Sequence, residues 1–405
     1  MQRKRWFGIA LLAMLVGALA ALTGSAQARP SAAADTQAAA PIKIGVVYSR
    51  TGLLASYGAQ YIQGLRYGLA YATQGKLAVN GRKIELTLAD DAGDPAKAVS
   101  AGKDLIGQGY KILAGSVSSG VALQMGPLAE QNRILYISGP AATDAATGLN
   151  RYTFRSGRQS YQDVLAAQSY LGSGPGKNVV VFAQDSAFGT GNFLAVKSVM
   201  EDLGGNKVTR ILVPLSAQDF TPFAQQVRNA NASLVFIAWA GTTAPAMWRA
   251  LDQQNVFSGN TKIVTGLDQR ASYETFGPVA GKISFLSHYV YQAPQNKVND
   301  FLVRSMRKRN QVPDLFTPDG FVAGQMIVRA LQKGSVSNVD RMIGALEGWS
   351  FTGPKGQQTI RASDHAMLQP MFQVQLKQNA KGKYDAVVLK RLRAKYTAPP
   401  ARSFG

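Results

Sequence analysis

The chain has 405 residues, 44 Lys and Arg against 23 Asp and Glu, two histidines and no cysteine. The absence of thiols excludes disulfides, Cys-ligated zinc and thiol catalysis, and two histidines leave little material for a His-rich metal centre or a catalytic triad. An apolar content of 46% is that of a folded protein, and basic residues scattered along the chain, not focused among aromatics, argue against a nucleic-acid surface.

Arg3, Lys4 and Arg5 open a basic segment, Phe7 to Leu22 is almost wholly apolar, and Ala26-Gln27-Ala28 is a small-x-small cleavage site. This pattern predicts a cleaved export signal over residues 1–28. The apolar run falls short of the ~20 residues a membrane span needs, and no cysteine follows the site to carry a lipid. Cleavage would leave 377 residues with 41 basic and 23 acidic side chains, a formal +18 suited to an anionic surface or ligand. Residues 29–40 (RPSAAADTQAAA) are poor in large apolar side chains and read as a tether.

From Ile42 short β-rich runs alternate with helical patterns. Strands are predicted at 42–49, 83–90, 111–116, 133–138, 178–185, 207–214, 233–240, 261–266 and 282–290, with amphipathic stretches such as Pro95 to Gly107 and Gly191 to Leu203 between them. Near-continuous apolar strands separated by helices imply parallel sheets covered on both faces, an α/β doubly wound class. So many strands exceed one ordinary sheet, and the polar stretch TFRSGRQSYQD (153–163) marks the first break between two lobes. Two helical patterns follow Val290, Asn299 to Asn310 and Pro318 to Lys333, before strands return at 371–377 and 384–392. The expected division is lobe 1 over 41–158 with 291–345 returning to it, lobe 2 over 159–290 with 346–393 returning to it, and a loose Pro-rich tail at 394–405.

In doubly wound sheets ligands sit beyond the carboxyl ends of the strands, where helix N-termini present free N–H groups. Strand 111–116 runs into Ser118-Ser119-Gly120 just where a helical pattern (Val121 to Gln131) begins, so Ser119 either caps that helix or binds an anion. Strand 133–138 ends similarly, in Ser138-Gly139-Pro140-Ala141-Ala142-Thr143-Asp144, and two adjacent ends of this kind build one concave polar pocket.

Other motifs point away from catalysis and cofactors. Ser118 lies three residues after Gly115, outside the G-x-S-x-G spacing. Gly172 to Lys177 (GSGPGK) is followed by Asn178, not by the Ser or Thr of a phosphate loop, and Gly189-Thr190-Gly191 lacks the third glycine of a dinucleotide site. Asp90, Asp91 and Asp94 lack the EF-hand glutamate and read as turn and cap residues. His365 reads as structural, and Arg304 to Arg309 (RSMRKR) as a solvated helix face.

The order IKIGVVYSRTG, LADDAGDP, GSVSSG, YISGPAATD, VVVFAQDSAFGTG, within residues 41–392, resembles the periplasmic leucine/isoleucine/valine-binding protein family, substrate-binding subunits of ABC importers. The resemblance implies a type I periplasmic binding protein: two doubly wound α/β lobes joined by a three-strand hinge and closing on a ligand. It implies a periplasmic monomer without cofactor or catalysis, delivering a small carboxylated solute, in first place a branched-chain or related amino acid, to an inner-membrane ABC permease. By the same resemblance Ser119 holds the ligand carboxylate, Ala141 and Thr143 share carboxylate and ammonium, Phe188 covers the ligand from the second lobe, Tyr57 lines the side-chain pocket and Asp268 pairs the ammonium. Two departures stand out: Ser118 replaces the half-cystine of the family prototype, and Gly241-Thr242-Thr243 replaces its tyrosines. Asp268 either pairs an ammonium or caps the next segment, and in the second case the pocket takes a carboxylate without an amine, such as an aromatic acid. FRSGRQSYQD and IRASDHAMLQP resemble members for which such acids are plausible ligands. A sensory module of the same fold is the alternative role.

Overall fold

The computed structural model describes residues 40–172 and 174–404; the expected signal segment 1–28 and the tether up to residue 39 lie outside the described residues. The first sheet takes β1 (Ile42–Tyr48), β2 (Ala78–Val79), β3 (Arg82–Asp90), β4 (Ile112–Ala114), β5 (Leu135–Ser138) and β6 (Thr153–Arg155), in the order β2-β3-β1-β4-β5-β6. Its strands are parallel except for β2, which closes a hairpin on β3. Helices α1 (Ala55–Ala72), α2 (Pro95–Gly107) and α3 (Ser119–Gln131) connect them. Asp94 caps α2 by accepting from the N–H groups of Ala96 and Lys97 at 2.7 and 3.0 Å, with Pro95 at the first helical position.

After α4 (Ser160–Leu171) the second series follows: β7 (Asn178–Gln184), α5 (Ala187–Val196), β8 (Lys207–Val213), α6 (Thr221–Asn229), β9 (Leu234–Ala238), α7 (Ala244–Gln253), β10 (Lys262–Gly266), α8 (Tyr273–Phe276) and β11 (Ile283–Ser287). The chain then returns to the first sheet with α9 (Lys297–Arg307), α10 (Thr317–Lys333), α11 (Val339–Leu346) and a small antiparallel sheet of β12 (Ser350–Gly353), β13 (Gly356–Ile360) and β14 (Met367–Leu368). It ends in β15 (Met371–Gln378) and β16 (Tyr384–Leu392), which join the second sheet in the order β16-β15-β11-β10-β9-β7-β8. There β7 to β11 are parallel, whereas β15 and β16 are antiparallel because they enter without a crossover helix.

The central parallel strands are buried end to end, as in Ile112-Leu113-Ala114 and Leu234 to Ala238, the burial that their apolar runs require, whereas β3 and β8 are partly exposed. Residues 350–368 were expected with the second lobe, yet Phe351, Ile360 and Met367 pack into one core with Ile44, Val46 and Ile137 of the first sheet. Helix α10 lies against α1 with the two backbones in contact. A Cβ on Gly64 would stand 1.9 Å from the Thr317 carbonyl oxygen, one on Gly68 2.1 Å from that of Phe321, and one on Gly320 1.9 Å from that of Tyr61. Only glycine permits this approach at all three places.

The chain passes between the sheets at 156–159, 288–296 and 369–370. The first two passages meet Asp319, in the first turn of α10, and the third reaches it through Lys355. Its Oδ1 accepts a 2.5 Å bond from Lys355, which also donates to Gln369 at 2.7 Å. Its Oδ2 lies 3.5 Å from His288 Nε2 and 2.9 Å from where a Gly157 Cβ would stand. Asp319 and Lys355 are fully buried, which pushes the carboxyl up and the ammonium down from their ordinary values; burial holds His288 well below its usual range, hence neutral.

The tail, expected to be loose, crosses back as a fourth connection. Arg361 donates to the carbonyls of Pro399 (2.8 Å) and Pro400 (3.0 Å), Asp364 accepts from the Arg402 N–H at 3.0 Å, and Phe404 lies 4.7 Å from the His365 ring. His365 itself is buried, stacked on Phe154, with Nδ1 2.9 Å from the Thr153 carbonyl, a structural residue as the sequence suggests. Arg304, Arg307, Lys308 and Arg309 are exposed on α9 and just beyond it.

Candidate functional site

A cavity of about 510 Å³ lies between the two sheets at the carboxyl ends of their strands. The loop after β1 gives Leu53 and Leu54, α1 gives Tyr57, and the start of α3 gives Ser118, Ser119 and Gly120. From the second sheet come Phe188 at the start of α5, Trp239 after β9 and Asp268 after β10, with Trp248 and Phe276 behind them and Phe316 closing one side. The wall is mostly apolar and aromatic with few polar groups, the usual constitution of a small-molecule site.

The capping question at α3 has a split answer. Ser118 is the N-cap: its Oγ accepts from the Val121 N–H at 3.5 Å and donates to the Gly93 carbonyl at 3.3 Å. Ser119, one residue on, is 3% exposed and its hydroxyl has no hydrogen-bond partner. Cap and free hydroxyl therefore belong to different serines. A buried unpartnered hydroxyl beside the open N–H groups of a helix N-terminus supplies the donors that an anion would need.

Tyr57, Phe188 and Asp268 line the same cavity as Ser119. Ala141 and Thr143 do not; their neighbours Pro140 and Ala142 do. The Ala141 N–H is donated to the Ser116 carbonyl at 3.3 Å and its own carbonyl accepts from Arg155 at 2.6 Å. Thr143 Oγ1 accepts from the Ala145 N–H at 3.3 Å, capping a short turn.

Of the two roles weighed for Asp268, the geometry at hand bears on the capping one. Its Oδ1 accepts from the next N–H, of Gln269, at 2.7 Å and from the Tyr57 hydroxyl, also at 2.7 Å. The second bond spans the cleft. Gly241 donates its N–H to the Tyr57 oxygen at 3.3 Å, and Arg270 donates its N–H to Asp314 at 2.9 Å, so the lobes meet along one rim. Burial raises the Asp268 carboxyl above its ordinary value, opposed by the Tyr57 and Gln269 bonds. Gly241 is in the left-handed region, and a Cβ there would come within 2.6 Å of Leu53; a side chain like the prototype's tyrosine has no room at that point.

Sequence reasoning missed Arg158 and Asp163, which form an ion pair (3.2 Å) in the cavity floor. Both lie in the polar stretch 153–163, read as a lobe boundary and, as FRSGRQSYQD, as resembling members that take organic acids, without either residue being singled out. It missed Phe316 as well, whose ring meets Tyr57 edge-on at 4.8 Å; Phe316 precedes a helix far along the chain and reaches the cleft only because α10 docks on α1. Among the described residues no cluster of potential metal ligands occurs, and no helix is long and apolar enough to cross a membrane.

A family profile described as periplasmic binding protein matches residues 41–383. A Leu/Ile/Val-binding protein of Rhizobium johnstonii is 25% identical over 313 residues, 76% of this chain and 84% of that protein. A crystal structure described as an ABC-type branched-chain amino acid transporter, from Rhodopseudomonas palustris, is 30% identical, covers 89% of this chain and 99% of its own, and superposes with a TM-score of 0.74. A solute-binding protein of an ABC transporter from another strain of that species, solved with 3,4-dihydroxybenzoic acid, superposes at 0.76 with 22% identity, covering 88% and 98%; at that identity the likeness concerns the fold.

Proposed function

Because the chain belongs to the periplasmic binding protein family, as a solute-binding protein of an ABC transporter, we propose that it captures a small carboxylated solute between its lobes and presents it to the permease. The solute in first place is a branched-chain or related amino acid. The observation that carries this reading is the buried, unpartnered Ser119 hydroxyl at the N-terminus of α3. A carboxylate there takes up the hydroxyl and the free N–H groups together, and the α3 dipole favours its charge. On this reading Asp268, which lines the same cavity, pairs the ammonium, and the aromatic wall takes the side chain. The reading includes export through residues 1–28 and action as a monomer. Members of this family bind solutes and are not enzymes, and the two serines at α3 have no histidine beside them that would activate a nucleophile.

A second reading is favoured by Asp268 itself. Its Oδ1 is already engaged by Tyr57 and Gln269, and a cavity of about 510 Å³ with seven aromatic side chains in its wall is ample for a benzoate-like acid. A thermal-shift screen separates the two. Protein refolded from denaturant, to strip any bound solute, is tested against L-leucine, L-valine, L-phenylalanine, benzoate and 4-hydroxybenzoate; at ~100 times the dissociation constant linkage adds about 2.7 kcal/mol. Shifts with the amino acids, reduced in Asp268→Asn, support the first reading. Shifts confined to acids lacking an amine support the second, and no shift with any carboxylate overturns both.

A further inference from the structure

We infer that Arg158 is a second anchor for the ligand's carboxylate, acting from the cavity floor, so that recognition rests on the solute's negative charge more than on its amine. The inference builds on the carboxylate reading above. Arg158 belongs to the first passage between the sheets and is 9% exposed, lining the cavity with its ion-pair partner Asp163. Its Nη1 donates to the Pro140 carbonyl at 3.0 Å, its Nε stands 3.2 Å from Asp163 Oδ2 without a well-formed hydrogen bond, and the guanidinium lies 5.9 Å from the Phe316 ring centre.

These contacts place the cation on the same shelf as the α3 subsite. Pro140 is joined through Ala141 to Ser116, whose carbonyl accepts the Ala141 N–H at 3.3 Å, and Ser116 Oγ accepts the Ser118 N–H at 3.2 Å. The shelf is thus the paired carboxyl ends of β4 and β5, with α3's N–H groups at one edge and the guanidinium at the other. Beyond the Pro140 and Asp163 contacts the guanidinium keeps further N–H donors, and its planar fork matches the two oxygens of a carboxylate.

Asp163 offsets part of the Arg158 charge while the cleft is empty. Burial raises this carboxyl above its ordinary value, opposed by Arg158. Asp163 lies in α4, which packs on the second sheet, so an anion drawn to Arg158 bears on the pair that spans the first passage.

The test compares acids with their uncharged counterparts by calorimetric titration of the full chain. L-leucine is paired with L-leucinol, and benzoate with benzamide. Arg158→Gln should weaken the acid by about tenfold or more and its neutral counterpart by no more than about twofold, with Arg158→Lys between. Equal losses for acid and neutral compound, or none for the acid, overturn the inference while leaving the carboxylate reading intact. Wild-type protein that takes neither acid overturns both. Should Arg158→Gln fail to fold, Asp163→Asn decides: with its partner neutral, Arg158 should hold the acid several-fold more tightly, and unchanged or weaker binding refutes its role.

Discussion

Removing the Ser119 hydroxyl should have opposite consequences in the empty and the occupied cleft. In the free protein Oγ is buried without a partner, and an unsatisfied buried polar group costs about 1–3 kcal/mol. Ser119→Ala removes that burden, so the free protein should unfold at the same urea concentration as wild type or a higher one. With a carboxylate in place, the hydroxyl donates a charge-assisted bond of about 1.5–3 kcal/mol, and its loss should weaken binding by about 10- to 150-fold. Ser118→Ala is the matched control. That serine caps α3 and ties it to Gly93, so its removal should lower the stability of the free protein by about 0.5–2 kcal/mol with a smaller effect on affinity. The assay is urea denaturation of each free protein beside titration with L-leucine and benzoate. A Ser119→Ala protein destabilised like Ser118→Ala, with affinity intact, would refute the assignment of Ser119 to the ligand.

Three further outcomes are expected. Asp319→Asn leaves Lys355 buried without its counter-charge and should lower stability by about 3–5 kcal/mol, whereas Asp319→Leu with Lys355→Met should be close to neutral; equal losses in chemical denaturation for single and double variants would reject the hub. Gly68→Ala drives a Cβ into the Phe321 backbone and should cost about 3 kcal/mol, the upper end for overpacking, while Gly75→Ala, with open space around it but a left-handed φ, should cost less in the same denaturation series. Burial pushes the Asp90 carboxyl up, but bonds from the Thr51 hydroxyl and the N–H groups of Arg50, Thr51 and Ala92 outweigh it and hold it at about 2 against 3.8. A depressed carboxylate stabilises above its unfolded value and loses that contribution as pH falls through its folded one. The loop bearing Leu53 and Leu54 should therefore loosen between pH 3.8 and about 2, seen as a flatter acid limb of thermal stability in Asp90→Asn than in wild type; parallel limbs would discount Asp90.

Much of the fold was legible because parallel strands covered on both faces carry their burial in unbroken apolar runs, as at Val179 to Ala183 and Leu234 to Ala238. The β12–β14 sheet was not, since Gly356 to Ile360 (GQQTI) has no such run and its pairing depends on a hairpin formed against the first sheet's core. The anchored tail was equally hidden: its composition is that of a loose end, and its restraint comes from Arg361 and Asp364, remote in the chain.

At the site the sequence by itself determined the kind of chemistry. A strand, small residues, serines and a helix start in order at 111–124, and local backbone geometry alone leaves that end with free N–H donors, for a cap or an anion. Which serine caps and which stays free, that Asp268 accepts from Tyr57 across the cleft as well as from Gln269, and that Arg158, Asp163 and Phe316 share one cavity were decided by tertiary structure. These facts depend on contacts such as Tyr57 with Asp268 and Asp319 with Lys355, between residues far apart in the chain that only the docking of α10 on α1 and the repeated passage between two sheets bring together.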